Sequence, residues 1–335
     1  MQLHQNKLLI LSLLLFLFFT AQAQTQTAPK PPGMLYGDSS RIGLPYAKDP
    51  YVIKFRGRYL MYYSIPPYKD SANPVKGWGI GIAESRNLRN WKKIAEISPG
   101  AEYEKKGMAA PGAIIVNNEV NLFYQTYGNG RNDAICHAVS KDGIHFQRNP
   151  SNPVFHPTGM WNCGRAIDAE VIRFKDQYLL YFATRDADYK IQLQGVAAAP
   201  AGTNFNRDQW TQLTDAPILK PDYPWEGACI EAASVIQRGN LLYMFYAGAY
   251  NNNPQQIGVA KSSDGIKWER LSNKPFLTNG DPGSWNYSES GHPNIFTDQD
   301  GSTWLFYQGN NDNGKTWYIS SAAIKWNEKG PYLVQ

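Results

Sequence analysis

Five segments of this chain repeat one pattern, and a five-fold repeat of this kind leaves few folds open. Each copy opens on a distinctive residue, runs on as a short apolar strand, turns on polar residues and returns as a strand ending in aromatics. The copies run from Asp49 to Ser64, Ala110 to Gln125, Asp168 to Ala183, Glu231 to Ala247 and His292 to Gln308. Their starts at 49, 110, 168, 231 and 292 are separated by 61, 58, 63 and 61 residues. From start to the residue after the aromatic pair the distance is 15, 15, 15, 16 and 16. Regular spacing of this kind marks a repeat architecture, in which each unit buries its faces only against its neighbours.

Each copy reads as a hairpin, because Arg56-Gly57, Asn117-Asn118, Lys175-Asp176, Arg238-Gly239-Asn240 and Asp298 to Gly301 carry turn chemistry. A second pair follows in the same unit. Gly79 to Ser85 precedes Trp91, Ile135 to Ser140 precedes Phe146, and Ile257 to Ser262 precedes Trp268, with six residues from serine to aromatic in all three. Four strands per unit of about 60 residues are the blades of a propeller. The predicted fold is therefore all-β, a five-bladed β-propeller with four antiparallel strands per blade, spanning residues 33–335. Ring closure is expected to borrow a strand from residues 33–46. The in-register aromatics Tyr62, Phe123, Tyr181, Phe245 and Phe306 are expected to pack between blades.

The N-terminus reads as a leader. Lys7 supplies positive charge, Leu8 to Phe19 form an apolar run, and Ala21-Gln22-Ala23 gives a small-residue cleavage pattern. Residues 1–23 are thus expected to be a signal peptide cleaved after Ala23, with residues 24–32 a tether, and the protein secreted or periplasmic. The run is shorter than the roughly 20 residues a spanning helix needs, so no membrane span is expected. The formal net charge of +5 is spread along the chain without basic runs, which argues against a nucleic-acid partner. Cys136, Cys163 and Cys229 show no zinc spacing and leave at least one thiol unpaired.

In a propeller the five repeat starts point toward the axis. Here they are Asp49, Ala110, Asp168, Glu231 and His292. Gathering three carboxylates is costly through desolvation and like-charge repulsion, so such a cluster points to chemistry. Glycosidic bond hydrolysis needs one carboxyl to protonate the leaving oxygen and another to activate water, and a third acid nearby raises the pKa of the donor. Glu226, five residues before Glu231, competes for the acid role, although the repeat register favours Glu231. Glu170 lies on the same strand face as Asp168, as a supporting acid or a packing group.

These residues resemble glycoside hydrolase family 43. The matching motifs are Lys48-Asp49-Pro50, Ala166-Ile167-Asp168, Glu231-Ala232, and Gly291-His292 with Asp300-Gly301-Ser302-Thr303-Trp304. The resemblance covers nearly all of the chain after the leader. It implies an inverting enzyme with Asp49 as general base, Glu231 as general acid and Asp168 as pKa modulator. His292 would tune the base or hold water or an ion in the channel, and no cofactor is required. Two departures stand out. Glu231-Ala232-Ala233 replaces the family's Glu-Gly-Pro or Glu-Ala-Pro, and Ile167-Asp168-Ala169 replaces Ile-Asp-Pro. The resemblance favours release of terminal α-L-arabinofuranosyl or β-D-xylosyl units from oligosaccharide or polysaccharide substrates. It leaves open galactose or anhydrogalactose of algal glycans, and a non-catalytic carbohydrate-binding propeller.

Substrate contacts are expected from side chains near the channel mouth. Arg165 and Arg185 are candidates for a hydroxyl, a carboxylate or a sulfate, and equally for loop-fixing ion pairs; Arg41 is a third. Trp78, Trp161, Trp225 and Trp285 sit in loops, as subsite walls or as anchors. Glu289 lies in a loop at the same end.

Overall fold

The computed structural model describes residues 34–334. The leader and tether expected at residues 1–23 and 24–32 lie outside the described residues. The chain forms five antiparallel sheets, one per sequence repeat. The innermost strands are Lys48–Phe55, Met108–Val116, Ile167–Phe174, Ile230–Arg238 and Glu289–Thr297. In each blade the next two strands follow outward as a meander. Short outer strands such as Lys92–Ile97 and Gln147–Arg148 complete the first four blades. Among the described residues the only helices are four single 3-10 turns, and no helix is long and apolar enough to cross a membrane.

Local sequence explains the hairpins. Arg56 and Gly57 take φ 50° and 77°, and Asn117 and Asn118 take 52° and 59°. That left-handed pair matches the twist of the flanking strands. The five in-register aromatics are all fully buried. Two of them also join blades through their hydroxyls: Tyr62 Oη donates to the Gly143 carbonyl at 2.9 Å, and Tyr181 Oη donates to that of Gly265 at 3.1 Å.

The ring closes with its ends interleaved. Leu35–Tyr36 pairs with Ile319 and Ser320 on the third strand of blade five. The C-terminal Gly330–Leu333 pairs farther along that same strand, at Ile324 to Asn327. Two short segments thus share the work of a fourth strand, confirming the borrowed N-terminal strand. Tyr36 extends the seam into blade one, its hydroxyl 2.8 Å from that of Tyr63, which in turn donates to Asp38. Met34 beside it is buried. A chain starting at Gly37 loses this seam and the burial of Met34 and Tyr36, a cost of about 2–4 kcal/mol. Its thermal midpoint should fall by roughly 3–6 °C; an unchanged midpoint in calorimetry would show that the strand does not close the ring.

Candidate active site

Every innermost strand breaks register at the same place. The breaks fall between Lys48 and Tyr51, Ala109 and Gly112, Ile167 and Glu170, Glu231 and Ser234, and Gly291 and Asn294. Each is a bulge in which two residues oppose one. The first residue of each bulge is left-handed: Asp49 (φ 53°), Ala110 (46°), Asp168 (54°), Ala232 (54°) and His292 (46°). The bulge frees an amide, and the neighbouring blade accepts it in three cases. Asp49 N donates to Gln308 Oε1 at 2.8 Å, Ala110 N to Ser64 Oγ at 2.8 Å, and Asp168 N to Gln125 Oε1 at 2.9 Å.

This corrects the expected equivalence at blade four. The bulge residue there is Ala232, and Glu231 stands one position earlier, in register with Lys48, Ala109, Ile167 and Gly291. The 16-residue spacing in blade four came from this one-residue offset. In blade five it comes from a longer hairpin loop, since Thr297 pairs with Thr303 whereas Phe55 pairs with Arg58.

Asp49, Asp168, Glu231 and His292 nevertheless meet in one pocket of about 250 Å³, together with Lys48, Arg165 and Arg185. Their charge states differ. Burial raises the pKa of Asp49, but the His292 ring, the Lys48 ammonium and donors from Ser64 and Ala110 outweigh it and hold Asp49 below the usual carboxylate range. His292 Nδ1 lies 3.1 Å from Asp49 Oδ1, and burial lowers the pKa of that imidazole. Asp168 goes the other way. Burial, then the negative charges of Glu231 and Asp49, push it well above the usual range against the pull of Arg165 and Lys48. Its Oδ2 is buried with no hydrogen-bond partner, which suits a neutral carboxyl rather than an anion.

Glu231 is held from both sides. Gln192 Nε2 donates to Oε2, and Gln255 Nε2 donates to Oε1 at 2.6 Å. Neither amide is free to turn over. Gln192 Oε1 accepts from Arg165 Nη1 and Arg185 Nε, each at 3.2 Å. Gln255 Nε2 also donates to the Ala249 carbonyl at 3.0 Å, while its Oε1 accepts from Asn251. A proton on Glu231 therefore has no acceptor in either amide and is left facing the pocket.

The other candidates divide. Arg165 and Arg185 line the pocket; Trp161, Trp225 and Glu289 do not. Trp225 stacks on Tyr246 with centroids 5.9 Å apart and donates to the Asn273 carbonyl, so it anchors its loop. Trp161 packs against the core between blades two and three, and Trp285 packs on Tyr307. Of the four loop tryptophans, Trp78 alone is in the wall. Arg41 lies away from the pocket and pairs with Glu96 at 3.0 Å. Glu289 is fully buried and acts behind the wall. Its carboxylate accepts from Gln308, Asn251 and the Asn252 amide, bracing the loop that carries Tyr250 and Asn251, and burial pushes its pKa up to about 7.

Glu170 is a packing group, accepting the Val235 amide of the next blade at 2.7 Å. The channel below the site narrows to about 10 Å³, room for one water at most. Among the described residues no three His, Cys, Asp or Glu side chains converge in metal-holding geometry, and all three cysteines are free thiols.

Glu226 is also structural. It is fully buried, takes Arg270 Nε at 2.7 Å and Nη2 at 2.9 Å, and accepts from the Tyr246 hydroxyl. Glu104, Tyr124 and Arg148 repeat the arrangement in blade two. The offsets of 20 and 44 residues from glutamate to tyrosine and arginine are identical in both copies. That shared spacing was a sequence signal for a structural role. The wall residues Gln192, Tyr127, Tyr250 and Asn251 carry no such repeat. Glu226→Gln strips the carboxylate from buried Arg270 and should cost about 3–5 kcal/mol in denaturant unfolding, while folded molecules keep their turnover. Loss of turnover at unchanged stability would return Glu226 to the site.

The model of "Glycosyl hydrolases family 43" matches residues 43–331. An endo-1,4-β-xylanase from Bacteroides thetaiotaomicron superposes with a TM-score of 0.67 at 20% identity, covering 87% of this chain and 95% of that one. An α-L-arabinofuranosidase from Lactobacillus brevis gives 0.64 at 15% identity, covering 86% and 93%. Likenesses at this identity speak to the fold. By sequence, a sucrose-6-phosphate hydrolase of Zymomonas mobilis is 28% identical over 207 residues, 57% of this chain and 39% of that protein. The chain spans about two fifths of the length of the first curated relatives it matches.

Proposed function

The chain belongs to glycosyl hydrolases family 43, and from that premise we propose that its pocket cleaves glycosidic bonds by single displacement. The observation that carries this is the unequal treatment of three clustered carboxyls: one held ionised, one held neutral, one gripped by two locked amides. Asp49, kept as the anion, takes a proton from water as that water attacks the anomeric carbon. Glu231 gives its proton to the departing glycosidic oxygen, so the sugar leaves as a hemiacetal of inverted configuration and the aglycone as an alcohol. Asp168 and Glu231 would repel as anions, and Asp168 is the partner that burial and that charge hold in the neutral form.

A pocket of about 250 Å³ is at the small end for ligand sites, which favours a chain end over the middle of a polysaccharide. Release of terminal α-L-arabinofuranosyl or β-D-xylosyl units is the substrate reading in best accord with the family. Trp78 and Tyr127, with ring centroids 5.3 Å apart, offer apolar faces for a sugar ring. The N-terminal leader pattern supports action outside the cytoplasm.

Aryl α-L-arabinofuranosides, β-D-xylosides and β-D-galactosides test this in wild type and Glu231→Ala. One sugar should be cut by wild type. The variant should lose about 10²–10⁴-fold on poor leaving groups and far less on good ones, which need no proton. Equal losses on both classes would remove Glu231 from the donor role.

The pH–rate profile should be a bell. Asp49 must be ionised, and its pKa is depressed, so the acid limb appears only as pH falls below the ordinary carboxylate range. Asp168 is held neutral and its pKa is raised, so activity that needs its proton is lost as pH rises through that elevated value. Asp168→Asn removes that titrating group and should remove the alkaline limb; an unmoved limb would show that Asp168 does not set it.

A further inference from the structure

Six arginines among the described residues are wholly or partly buried: Arg41, Arg58, Arg148, Arg165, Arg185 and Arg270. Four of them have a carboxylate within 3.0 Å, on Glu96, Glu84, Glu104 and Glu226. The two exceptions stand side by side in the pocket wall. The side chain of Arg165 is 11% exposed, much like that of Arg270 at 12%, yet its nearest carboxylate oxygen, on Asp133, is 3.6 Å away. Its Nε is buried without a hydrogen-bond partner. Arg185 has no carboxylate within 4.0 Å among the described residues. It donates only through Nε, so both terminal nitrogens lack a protein acceptor.

Arg185 is also immobilised. Its guanidinium lies 4.4 Å from the centroid of Tyr189 and 5.2 Å from that of Tyr250. Aromatic faces stabilise a cation but satisfy none of its N–H donors. The sole hydrogen-bond acceptor the two guanidiniums have in the wall is the one oxygen of Gln192. Elsewhere in this molecule a buried guanidinium is matched with a carboxylate, as the cost of desolvating a charge requires. In the pocket wall no carboxylate comes that close to Arg165 or Arg185, and both side chains line the space a substrate enters.

We propose that Arg165 and Arg185 form an oxyanion cradle that selects glycans carrying a negatively charged substituent: a uronate carboxylate, a sulfate ester or a phosphate ester. This rests on the hydrolytic reading of the pocket. Two forks match the oxygens of such a group, whereas a neutral hydroxyl uses one donor and leaves the Arg185 charge without a counter-charge. The cradle shares Gln192 with Glu231, so the charged substituent sits on the acid's side of the pocket. Gln192 is the positioning residue between the two, its amide nitrogen on the acid and its oxygen on the cradle.

Binding and turnover are measured separately on the full chain. Calorimetric titration with D-glucuronate, inorganic sulfate and inorganic phosphate reads the cradle without hydrolysis, and the one that binds names the substituent. At least one should bind wild type, tenfold or more weakly to Arg185→Gln, and at an intermediate level to Arg185→Lys, which keeps the charge and loses the fork. Circular dichroism checks that the variants are folded. In turnover, kcat/KM on uronate-, sulfate- or phosphate-bearing oligosaccharides should exceed that on their neutral counterparts by about 10–100-fold, the worth of charge-assisted hydrogen bonds, and the ratio should collapse toward one in Arg185→Gln. Hydrolysis of neutral glycans with no anion bound, or with anions bound equally by wild type and Arg185→Gln, overturns the cradle and leaves hydrolysis standing. Anion binding lost in Arg185→Gln, without cleavage of any glycan, overturns hydrolysis and leaves the cradle.

Discussion

A left-handed residue at the head of each innermost strand organises this molecule. A side chain in that conformation costs of order 1–3 kcal/mol, and glycine would relieve it. None of the five positions is glycine; they are Asp49, Ala110, Asp168, Ala232 and His292. Asp and His tolerate the conformation better than most residues, so local preference alone favours them there. Ala110 and Ala232 show that the fold also accepts the conformation without a polar side chain. The acids and the imidazole are therefore in place for what they reach. The bulge turns them toward one end of the channel, and side chains of the preceding blade catch the freed amides of Asp49, Ala110 and Asp168.

The pocket's electrostatics follow from that crowding. Three carboxyls in a space short of water cannot all be ionised. Asp49 is favoured as the anion because His292 and Lys48 stand beside it, and Asp168 is disfavoured because it is buried between two other acids. Glu231 avoids the bulge position and gains two amide donors that the bulge residues lack. The same wall holds Arg165, whose nearest carboxylate, on Asp133, is 3.6 Å away, and Arg185, which has none within 4.0 Å among the described residues. One set of neighbours thus governs both the proton inventory of the acids and the charge a substrate would meet.

Most of the architecture was legible in the sequence because the repeat is long and its aromatics keep register. The turns, the blade count and the closure strand all followed from it. The acids were legible because they stand out against Ala110 at a repeated position. The exact footing of Glu231 was not, since a spacing of 16 arises equally from a shifted start in blade four and a longer loop in blade five. Loop aromatics were the weakest guide. Trp161, Trp225 and Trp285 look like Trp78 in sequence, and only packing against Tyr246, Tyr307 or the blade core separates an anchor from a wall. Gln192 escaped notice because an amide in a strand carries no signature until its partners are known.

Carbon-13 NMR titration of side-chain carboxyls tests the central claim most directly, with Asp49→Asn, Asp168→Asn and Glu231→Gln assigning the signals. One aspartate signal, absent from Asp168→Asn, should remain protonated well above the ordinary aspartate pKa of about 3.9. Another, absent from Asp49→Asn, should stay ionised below it. Two aspartates titrating together near the ordinary value would mean that the pocket does not divide its protons, and the catalytic roles drawn from that division would fall.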